Sequence, residues 1–206
     1  MQQSKRGTSW EGFSFWPSFT DVMVVTLLIM LFFLFAQMTI NSDALLAAEL
    51  NRRQDLIKDE VGQALGGDKS LVEIVPDGNL QRFQFSDRIL FKSGEAELLP
   101  EGKRVLGIVG GALKPRVELF KTAQVEGHTD AAPIKTAKYP SNWELSSARA
   151  TSVVRFFQDE KYIDAKILSA NGYAEFRPID KGSGDTARQR NRRVELVLVY
   201  SMTDLK

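Results

Sequence analysis

The side chains best suited to binding a ligand lie in the second half of the chain. Gly127-His128-Thr129-Asp130 ends a predicted strand, and Arg149 lies on a predicted helix over residues 142–159. A carboxylate and a guanidinium on neighbouring elements suit a zwitterion, because Asp130 can accept from an ammonium group while Arg149 grips a carboxylate with two hydrogen bonds. The two side chains could instead form a salt bridge with each other, and their spacing does not separate these hypotheses.

A further chemically active group, Asp21, stands at one end of a long apolar segment. Residues 22–40 carry no charge, and at about 1.5 Å per residue they form a helix of roughly 28 Å, close to the thickness of the hydrocarbon core of a membrane. We therefore expect an uncleaved transmembrane helix over residues 16–40. A carboxylate is costly there, so Asp21 could serve as an ion carrier that takes up and releases a proton. Alternatively, Asp21 stabilises the start of the helix, with Pro17 in the first turn.

The composition excludes most classes of enzyme. The 206 residues include no cysteine and one histidine, His128, which excludes a disulfide framework and a catalytic thiol and disfavours an ordinary zinc site. The formal net charge of +1 favours no polyanionic partner. We expect no enzymatic activity, no cofactor, no metal and no nucleic-acid partner. We expect Glu126 and His128 to act in packing or in hydrogen bonds at the strand end.

The elements that position these residues alternate in type from residue 70 onwards. We predict strands at residues 71–75, 80–85, 121–126, 167–173 and 194–200, with a turn at 76–79, and helices at 96–113 and 142–159. Asn142 is the expected N-cap of the second helix. The last strand is almost entirely apolar, which predicts a central position. Strands separated by helices predict a two-layer α/β sandwich.

A predicted helix lies between the apolar segment and these elements. Residues 41–65 are polar, with apolar side chains at helical spacing: Leu46, Leu50, Ile57, Val61 and Leu65. The segment could be a surface helix, or a short helix that dimerises or plugs a channel. Gly66-Gly67-Asp68 is expected to end it.

Several separated motifs occur in the order found in one known family. GHTD at 127–130, NWELSSARA at 142–150 and NRRVE at 191–195 closely resemble the OmpA-like peptidoglycan-binding domain, as does FKSGEAEL at 91–98. The resemblance covers roughly residues 70–200 and implies an α+β fold, a βαβαβ two-layer sandwich that follows the single N-terminal transmembrane helix. It also implies that Asp130 and Arg149 hold the diaminopimelate side chain of the cell-wall peptide. By motif position, Thr129, Asn142 and Arg193 are expected at the same site.

The N-terminal segment WPSFTDVMVVTLLIMLFFLFA resembles the single transmembrane helix of MotB-type stator subunits, in which an aspartate carries the transported ion. Asp21 takes that position. The resemblance implies a homodimer inside a ring of multi-span A-type subunits, five around two, which an ion flux, expected to be of protons, drives into rotation. It places residues 1–15 in the cytoplasm, 16–40 in the bacterial inner membrane, and both the linker or plug helix (41–69) and the peptidoglycan-binding domain (70–206) in the periplasm.

The length of the connection bears on which motor this is. About 30 residues separate Ile40 from Leu71, fewer than the flagellar stator family usually has, which favours a Zorya-like anti-phage defence motor over a flagellar stator. A passive membrane-to-wall tether would need Asp130 and Arg149 but not Asp21. A third hypothesis is a phosphate-binding basic module, although the NRRVE motif already explains much of its basic run: Arg188, Arg190, Arg192 and Arg193.

Overall fold

The computed structural model describes residues 16–68 and 70–201, which belong to two units treated separately below. The first unit ends at Leu45 and the second begins at Leu46. Helix α1 (Trp16–Ala64) contributes residues to both units.

The described part of the first unit is helical and presents apolar side chains. Every residue from 22 to 40 is exposed except the half-buried Ala36. Thr26 Oγ1 and Thr39 Oγ1 donate to the backbone carbonyl four residues earlier, at 2.8 and 3.0 Å, so these hydroxyl groups are satisfied within the helix. Within the described ranges, α1 is the one helix long and apolar enough to cross a membrane, and it contains the predicted span.

The second unit contains a five-stranded sheet. Its strands are β1 (Glu73–Asp77), β2 (Leu80–Ser86), β3 (Thr122–His128), β4 (Leu168–Gly172) and β5 (Arg193–Val199). The order is β1-β2-β5-β3-β4, with β3 and β4 parallel and the other neighbours antiparallel. The apolar β5 is central, as predicted. Pro76 was predicted in a turn but lies in β1, an edge strand that tolerates a missing N–H, and Gly78 and Asn79 form the turn.

In the described part of the chain, four further α-helices accompany the sheet: α2 (Asp87–Leu90), α3 (Pro100–Leu113), α4 (Asn142–Asp159) and α5 (Asp185–Asn191). The predicted helix from residue 96 begins only at Pro100, because proline fits the first turn but lacks the N–H needed further inside. Helix α4 has the predicted bounds. Its N-cap is Ser141 and not Asn142, since Ser141 Oγ accepts from Trp143 N at 3.2 Å.

The hydrophobic core forms where the helices meet the sheet. It includes alternate residues of three strands, Phe83 and Phe85, Ala123 and Val125, and Val194, Leu196 and Leu198. Helices α3 and α4 contribute further side chains to the same cluster, among them Val105, Leu106, Val109, Leu113, Ala150, Val153 and Phe157. This arrangement is the predicted two-layer sandwich.

The C-terminal part of α1 belongs to this core. Leu50, Ile57 and Val61 are buried in it, and their spacing of seven and four places them on one face of the helix. The segment is therefore a helix, as predicted, and its apolar face is occupied by its own unit. The helix ends before Gly66 and Gly67, whose φ angles of +66° and +79° suit glycine alone.

Three hydrogen bonds tie α1 to the β1–β2 hairpin. The buried Gln54 donates from Nε2 to the carbonyl oxygens of Gly78 and Leu80, at 2.9 and 3.2 Å. Gln81 Nε2 donates to Gln54 O at 2.8 Å. The helix is thus attached to the hairpin by polar bonds as well as by apolar packing.

Candidate functional site

Three strand ends meet at one edge of the sheet. Strands β2 and β3 both run antiparallel to β5, so their C-terminal ends lie beside its N-terminal end. The register pairs Arg193 with Ser86 on one side and with His128 on the other. The residues just beyond these strand ends are therefore brought to one edge of the sheet: Asp87, Asp130 and Arg192.

Helix α4 approaches this edge closely because two strand positions lack a side chain. A Cβ on Gly127 would lie 2.2 Å from Ser146 O, and one on Gly172 would lie 2.2 Å from Ser147 Oγ. Both distances are far below any real contact, so these positions require glycine. The close packing brings Arg149, one turn further along α4, to the strand ends.

A cavity of about 490 Å³ lies at this edge. Four of the five residues predicted to bind peptidoglycan line it: Thr129, Asp130, Asn142 and Arg149. Asp87 and Arg192 line it as well. Asp87, Asp130, Arg149 and Arg192 are called the cavity cluster below.

Arg149 is held by partners other than Asp130. It is 2% exposed and donates from Nε to Glu95 O at 2.9 Å and from Nη1 to Asp87 Oδ2 at 3.3 Å. Its guanidinium carbon lies 5.2 Å from the centre of the Phe91 ring. These contacts fix the guanidinium at the wall of the cavity.

Asp130 is likewise bound by neighbours other than Arg149. Its Oδ2 accepts from Arg192 Nη1, and its Oδ1 accepts from Ala132 N at 3.1 Å. Arg192 Nε also lies 3.6 Å from Asp87 Oδ2. Among the ion pairs of the described residues none joins Asp130 to Arg149, so the salt bridge considered from the sequence does not form.

For two members of the cavity cluster, burial has a larger effect on the pKa than ion pairing has. Desolvation raises the pKa of Asp87, although Arg149 and Arg192 act in the opposite direction. Desolvation also lowers the pKa of Arg149, although Asp87 opposes this. Each charged form therefore lacks part of the stabilisation that water would provide.

Two buried oxygen atoms of the cavity also have unused hydrogen-bonding capacity. Asp87 Oδ1 and Thr129 Oγ1 have no hydrogen-bond partner within the described part of the chain. Leaving such atoms unpaired costs free energy, which a ligand that donates N–H groups would recover. A ligand carboxylate would in turn stabilise the guanidinium groups, so the cavity suits a group with both charges.

Asn142 holds the segments around the cavity together. Its Nδ2 is near Asp130 O at 3.4 Å, Ala132 O at 3.1 Å and Glu175 Oε2 at 3.2 Å. The neighbouring Thr129 donates from its backbone N–H to Ala174 O at 2.9 Å. Asn142 and Thr129 therefore connect the segment after β3, the start of α4 and the segment after β4.

The fifth predicted residue, Arg193, does not reach the cavity. Its Nε donates to Glu195 Oε1 at 2.6 Å, and its guanidinium also donates to Arg177 O at 3.3 Å. Arg192 is the arginine of this motif that lines the cavity. The sequence interpretation also missed Asp87, although the signal was the one that singled out Asp130, a carboxylate just after a predicted strand.

A second group of charges, buried except for one half-buried arginine, lies on β2, β3 and β5. It consists of Arg82, Glu126, Arg193 and Glu195, called the sheet cluster below. Arg82 Nη1 contacts Glu195 Oε2 at 2.9 Å and Glu126 Oε2 at 3.3 Å, while Arg193 binds the other oxygen of Glu195. Glu126 thus belongs to an ion-pair network at the strand end, as expected from the sequence.

His128 lies beside this network and makes it a possible metal-binding group. One ligand atom each from Glu126, His128 and Glu195 lie within 4.8 Å of one another. Both carboxylates are already balanced by guanidinium groups, which removes the electrostatic attraction for a cation. His128 stacks on Tyr173 with 5.5 Å between ring centres, and burial lowers its pKa, which favours the neutral form. These contacts fit a packing role.

The basic run near the end of the chain carries no free positive charge. Each of its four arginines pairs with a carboxylate: Arg188 with Asp185, Arg190 with Asp180, Arg192 with Asp130, and Arg193 with Glu195. The hypothesis of a phosphate-binding basic module therefore loses its basis.

A larger cavity, of about 800 Å³, lies between the C-terminal end of α1 and β1. Its charged lining residues, Lys58, Asp59, Asp68 and Glu73, are exposed to solvent. It offers no buried charged group to orient a ligand.

Asp21 is an exposed residue in the second turn of α1, and no acidic residue occupies the first turn. Its side chain makes no hydrogen bond or ion pair with another residue whose side chain the structure describes. Its position does not match that of a carboxylate at the first turn of a helix.

The fold and the cavity define an α/β domain with a cavity lined by charged residues, and an apolar helix precedes it in the chain. Residues 90–192, half of the 206-residue chain, match the OmpA family, and the chain belongs to this family. Over 117 residues it is 32% identical to motility protein B of Bacillus subtilis (strain 168), a match that covers 55% of this chain and 42% of that protein. The chain spans less than half the length of the curated relatives it matches first.

Solved structures share the fold. A putative MotB-like protein from Desulfovibrio vulgaris superposes with a TM-score of 0.68 at 26% identity, over 76% of this chain and 94% of that one. The cell wall anchor of the T6SS from Pseudomonas aeruginosa gives a TM-score of 0.61 at 29% identity, over 68% of this chain and 97% of that one. The predicted fold class, and the resemblance to OmpA-like and MotB-like proteins, are confirmed.

Proposed function

We propose that this protein is the B-type subunit of an ion-driven rotary motor in the bacterial inner membrane, and that its OmpA-family domain anchors the motor to peptidoglycan. The anchoring part rests on the cavity cluster, a set of two carboxylates and two guanidinium groups around an open cavity, all buried except the half-buried Arg192. Membership of the OmpA family and similarity to a cell wall anchor and to MotB-like proteins support this assignment.

The ligand proposed for the cavity is the diaminopimelate side chain of the cell-wall peptide, which ends in an ammonium and a carboxylate. Asp130, with Asp87 and Thr129 beside it, accepts from the ammonium group. Arg149 and Arg192 bind the carboxylate. The four charges of the cavity cluster sum to zero, so a zwitterionic group enters without creating a net buried charge.

Substituting Arg149 tests the anchor. We expect Arg149→Ala to weaken co-sedimentation of the detergent-solubilised chain with purified peptidoglycan by about a hundredfold, because a buried charged contact is lost. Arg155→Ala is the matched control, since Arg155 is on the same helix but exposed. Wild-type sedimentation of Arg149→Ala would show that the ligand binds elsewhere.

The motor part of the proposal rests on Asp21, an exposed carboxylate at one end of the apolar segment. Two copies of this chain within a ring of five multi-span A-type subunits would place Asp21 against partner helices along which an ion, proposed to be a proton, passes. The N-terminus then lies in the cytoplasm and the binding domain in the periplasm. Similarity to motility protein B supports this part of the proposal.

Substituting Asp21 tests the motor. We expect Asp21→Asn to abolish ion flux in membranes that contain the chain and its A-type partner, while peptidoglycan binding is retained. Asp55→Asn is the control, because Asp55 is an exposed carboxylate on the same helix but outside the apolar segment. Unchanged flux in Asp21→Asn would leave a passive membrane-to-wall tether as the function.

Of the two kinds of motor, we propose a Zorya-like defence motor, with a flagellar stator as the alternative. The connection between the apolar segment and the domain is short, which favours the defence motor. Leu50 is already buried in the core of the second unit, and the ten residue-to-residue steps from Ile40 to Leu50 span at most about 35 Å when fully extended. In the native host, Asp21→Asn should leave swimming normal and abolish resistance to phage. Lost swimming with intact filaments would establish the flagellar alternative.

A further inference from the structure

Two large aromatic side chains stand exposed beside the cavity. Trp143 is 48% exposed and Phe176 is 64% exposed, yet their rings are stacked, with centres 5.4 Å apart and planes at 27°. Exposed apolar groups with polar neighbours commonly mark a binding surface. Neither residue is needed for the four charges that bind the zwitterion, so this pair, called the aromatic pair below, has no role so far.

The backbone under the aromatic pair is fixed. Trp143 belongs to the first turn of α4, where its N–H is capped by Ser141 Oγ. Phe176 closes a turn by donating its N–H to Tyr173 O at 3.2 Å, and within that turn Ala174 has a φ of +48°, a strained angle for any residue except glycine. Rigid aromatic side chains lose little conformational entropy when a ligand covers them.

The aromatic pair does not line the cavity but is connected to it through neighbouring residues. Trp143 directly follows Asn142, which lines the cavity, and Asn142 Nδ2 donates to Glu175 Oε2, next to Phe176. The turn that carries Phe176 also accepts from Thr129 N through Ala174 O. A ligand that fills the cavity and extends along this side therefore reaches the two rings.

We propose that the aromatic pair is a sugar subsite that stacks against an N-acetylhexosamine of the peptidoglycan glycan strand while the cavity holds the peptide. This rests on the proposed function, because the sugar is what the bound peptide is attached to. A pyranose ring has apolar C–H faces that stack on aromatic rings, and its rim of hydroxyl and amide groups meets polar neighbours such as Glu144 and Glu175. Those two carboxylates would be repelled by the anionic headgroups of a lipid surface.

The test compares two probes on the detergent-solubilised full chain: a disaccharide–peptide carrying diaminopimelate, and the same peptide without sugars. We expect Trp143→Ala and Phe176→Ala each to weaken binding of the disaccharide–peptide about fivefold and to leave the sugar-free peptide unchanged. Trp143→Phe, which keeps an aromatic ring, should retain most of the affinity. Having two variants at different elements keeps the test valid if one of them folds poorly.

The outcomes separate this inference from the proposed function. Arg149→Ala should weaken both probes, and if it weakens neither, the peptide cavity is wrong whatever the aromatic pair does. Equal losses for both probes in Trp143→Ala and Phe176→Ala, or no loss in either, would overturn the sugar subsite. Unchanged sugar binding together with altered self-association of the variants would overturn it in favour of a contact between two copies of the chain.

Discussion

The cavity cluster and the sheet cluster contain the same kinds of charged group, but they differ in whether every buried carboxylate oxygen has a partner. Each contains two carboxylates and two guanidinium groups, and each lies near the start of β5. In the sheet cluster, both oxygens of Glu195 are bound by arginines, at 2.6 and 2.9 Å. In the cavity cluster, Asp87 Oδ1 is buried without a partner among the described residues and the neighbouring space is open.

This difference shows that a count of charges does not locate a binding site. Arg192 and Arg193 are consecutive in the chain, yet one lines the cavity and the other binds Glu195 on β5. Unpaired acceptors beside open space distinguish the first cluster, whereas desolvation lowers the pKa of Arg193 as it does that of Arg149. We therefore expect substitutions in the sheet cluster to affect stability, and those in the cavity cluster to affect binding.

The largest expected effect comes from removing one carboxylate from each cluster. Glu195→Gln should lower the free energy of unfolding by about 3 kcal/mol, because Arg193 loses its closest counter-charge in a buried setting. Asp87→Asn should cost only about 1 kcal/mol of stability, since burial already disfavours the charged form of Asp87 and Arg149 keeps its hydrogen bond to Glu95 O, but it should weaken peptidoglycan binding at least tenfold. Thermal unfolding and co-sedimentation of the two variants measure both quantities.

The reverse pattern, in which Glu195→Gln mainly reduces binding and Asp87→Asn mainly reduces stability, would remove the distinction between the clusters. Equal effects of both variants on both quantities would do the same.

A smaller effect is expected when the two consecutive arginines are replaced by lysine. Arg193→Lys should lower stability by about 2 kcal/mol and leave binding intact, because an ammonium group cannot donate to both Glu195 and the Arg177 carbonyl as the planar fork does. Arg192→Lys should change stability by less than about 0.5 kcal/mol and weaken binding several-fold. Identical behaviour of the pair in both assays would contradict the assignment of Arg192 to the cavity.

The smallest expected effect concerns pH. Burial holds the pKa of His128 below its ordinary value of 6.5, so below that pH the unfolded chain binds a proton that the folded chain does not. Stability should therefore decrease as the pH falls through 6.5, until the folded form also protonates. Melting temperatures between about pH 7.5 and pH 5 measure this, with His128→Gln as the variant in which the decrease should disappear. Since His128 is the one histidine of the chain, a decrease that persists in His128→Gln would come from another group.

The sequence predicts the long elements well and the short ones poorly. The repeated apolar spacing in α4 and the apolar run of β5 are signals that extend over many residues, and both elements occur as predicted. Helices α2 and α5 have four and seven residues, too few to show a period. The start of α3 was placed four residues early because Pro100, a typical first-turn residue, was not used as a boundary.

Prediction of the site residues from the sequence has a different limit. Asp130 and Arg149 could be named from residue type and from the family resemblance. Asp87 carries the same local signal as Asp130, a carboxylate just after a predicted strand, but its place in the cavity, like that of Arg192, depends on the strand order β2-β5-β3, which is a long-range property of the fold. The choice of Arg193 instead of Arg192 has the same cause, since neighbours in the chain face different partners once a strand begins.

The attachment of α1 to the β1–β2 hairpin has a mechanical consequence. A force along the axis of this helix loads the Gln54 hydrogen bonds and the packing of Ile57 and Val61 in shear. These contacts therefore share the force and do not break one at a time. From β2 the force passes through seven residue pairs to β5, and Arg192, which directly precedes β5, lines the cavity. If the cavity binds the cell wall as proposed, a force on this part of the helix crosses a single strand pair on its way to the bound ligand.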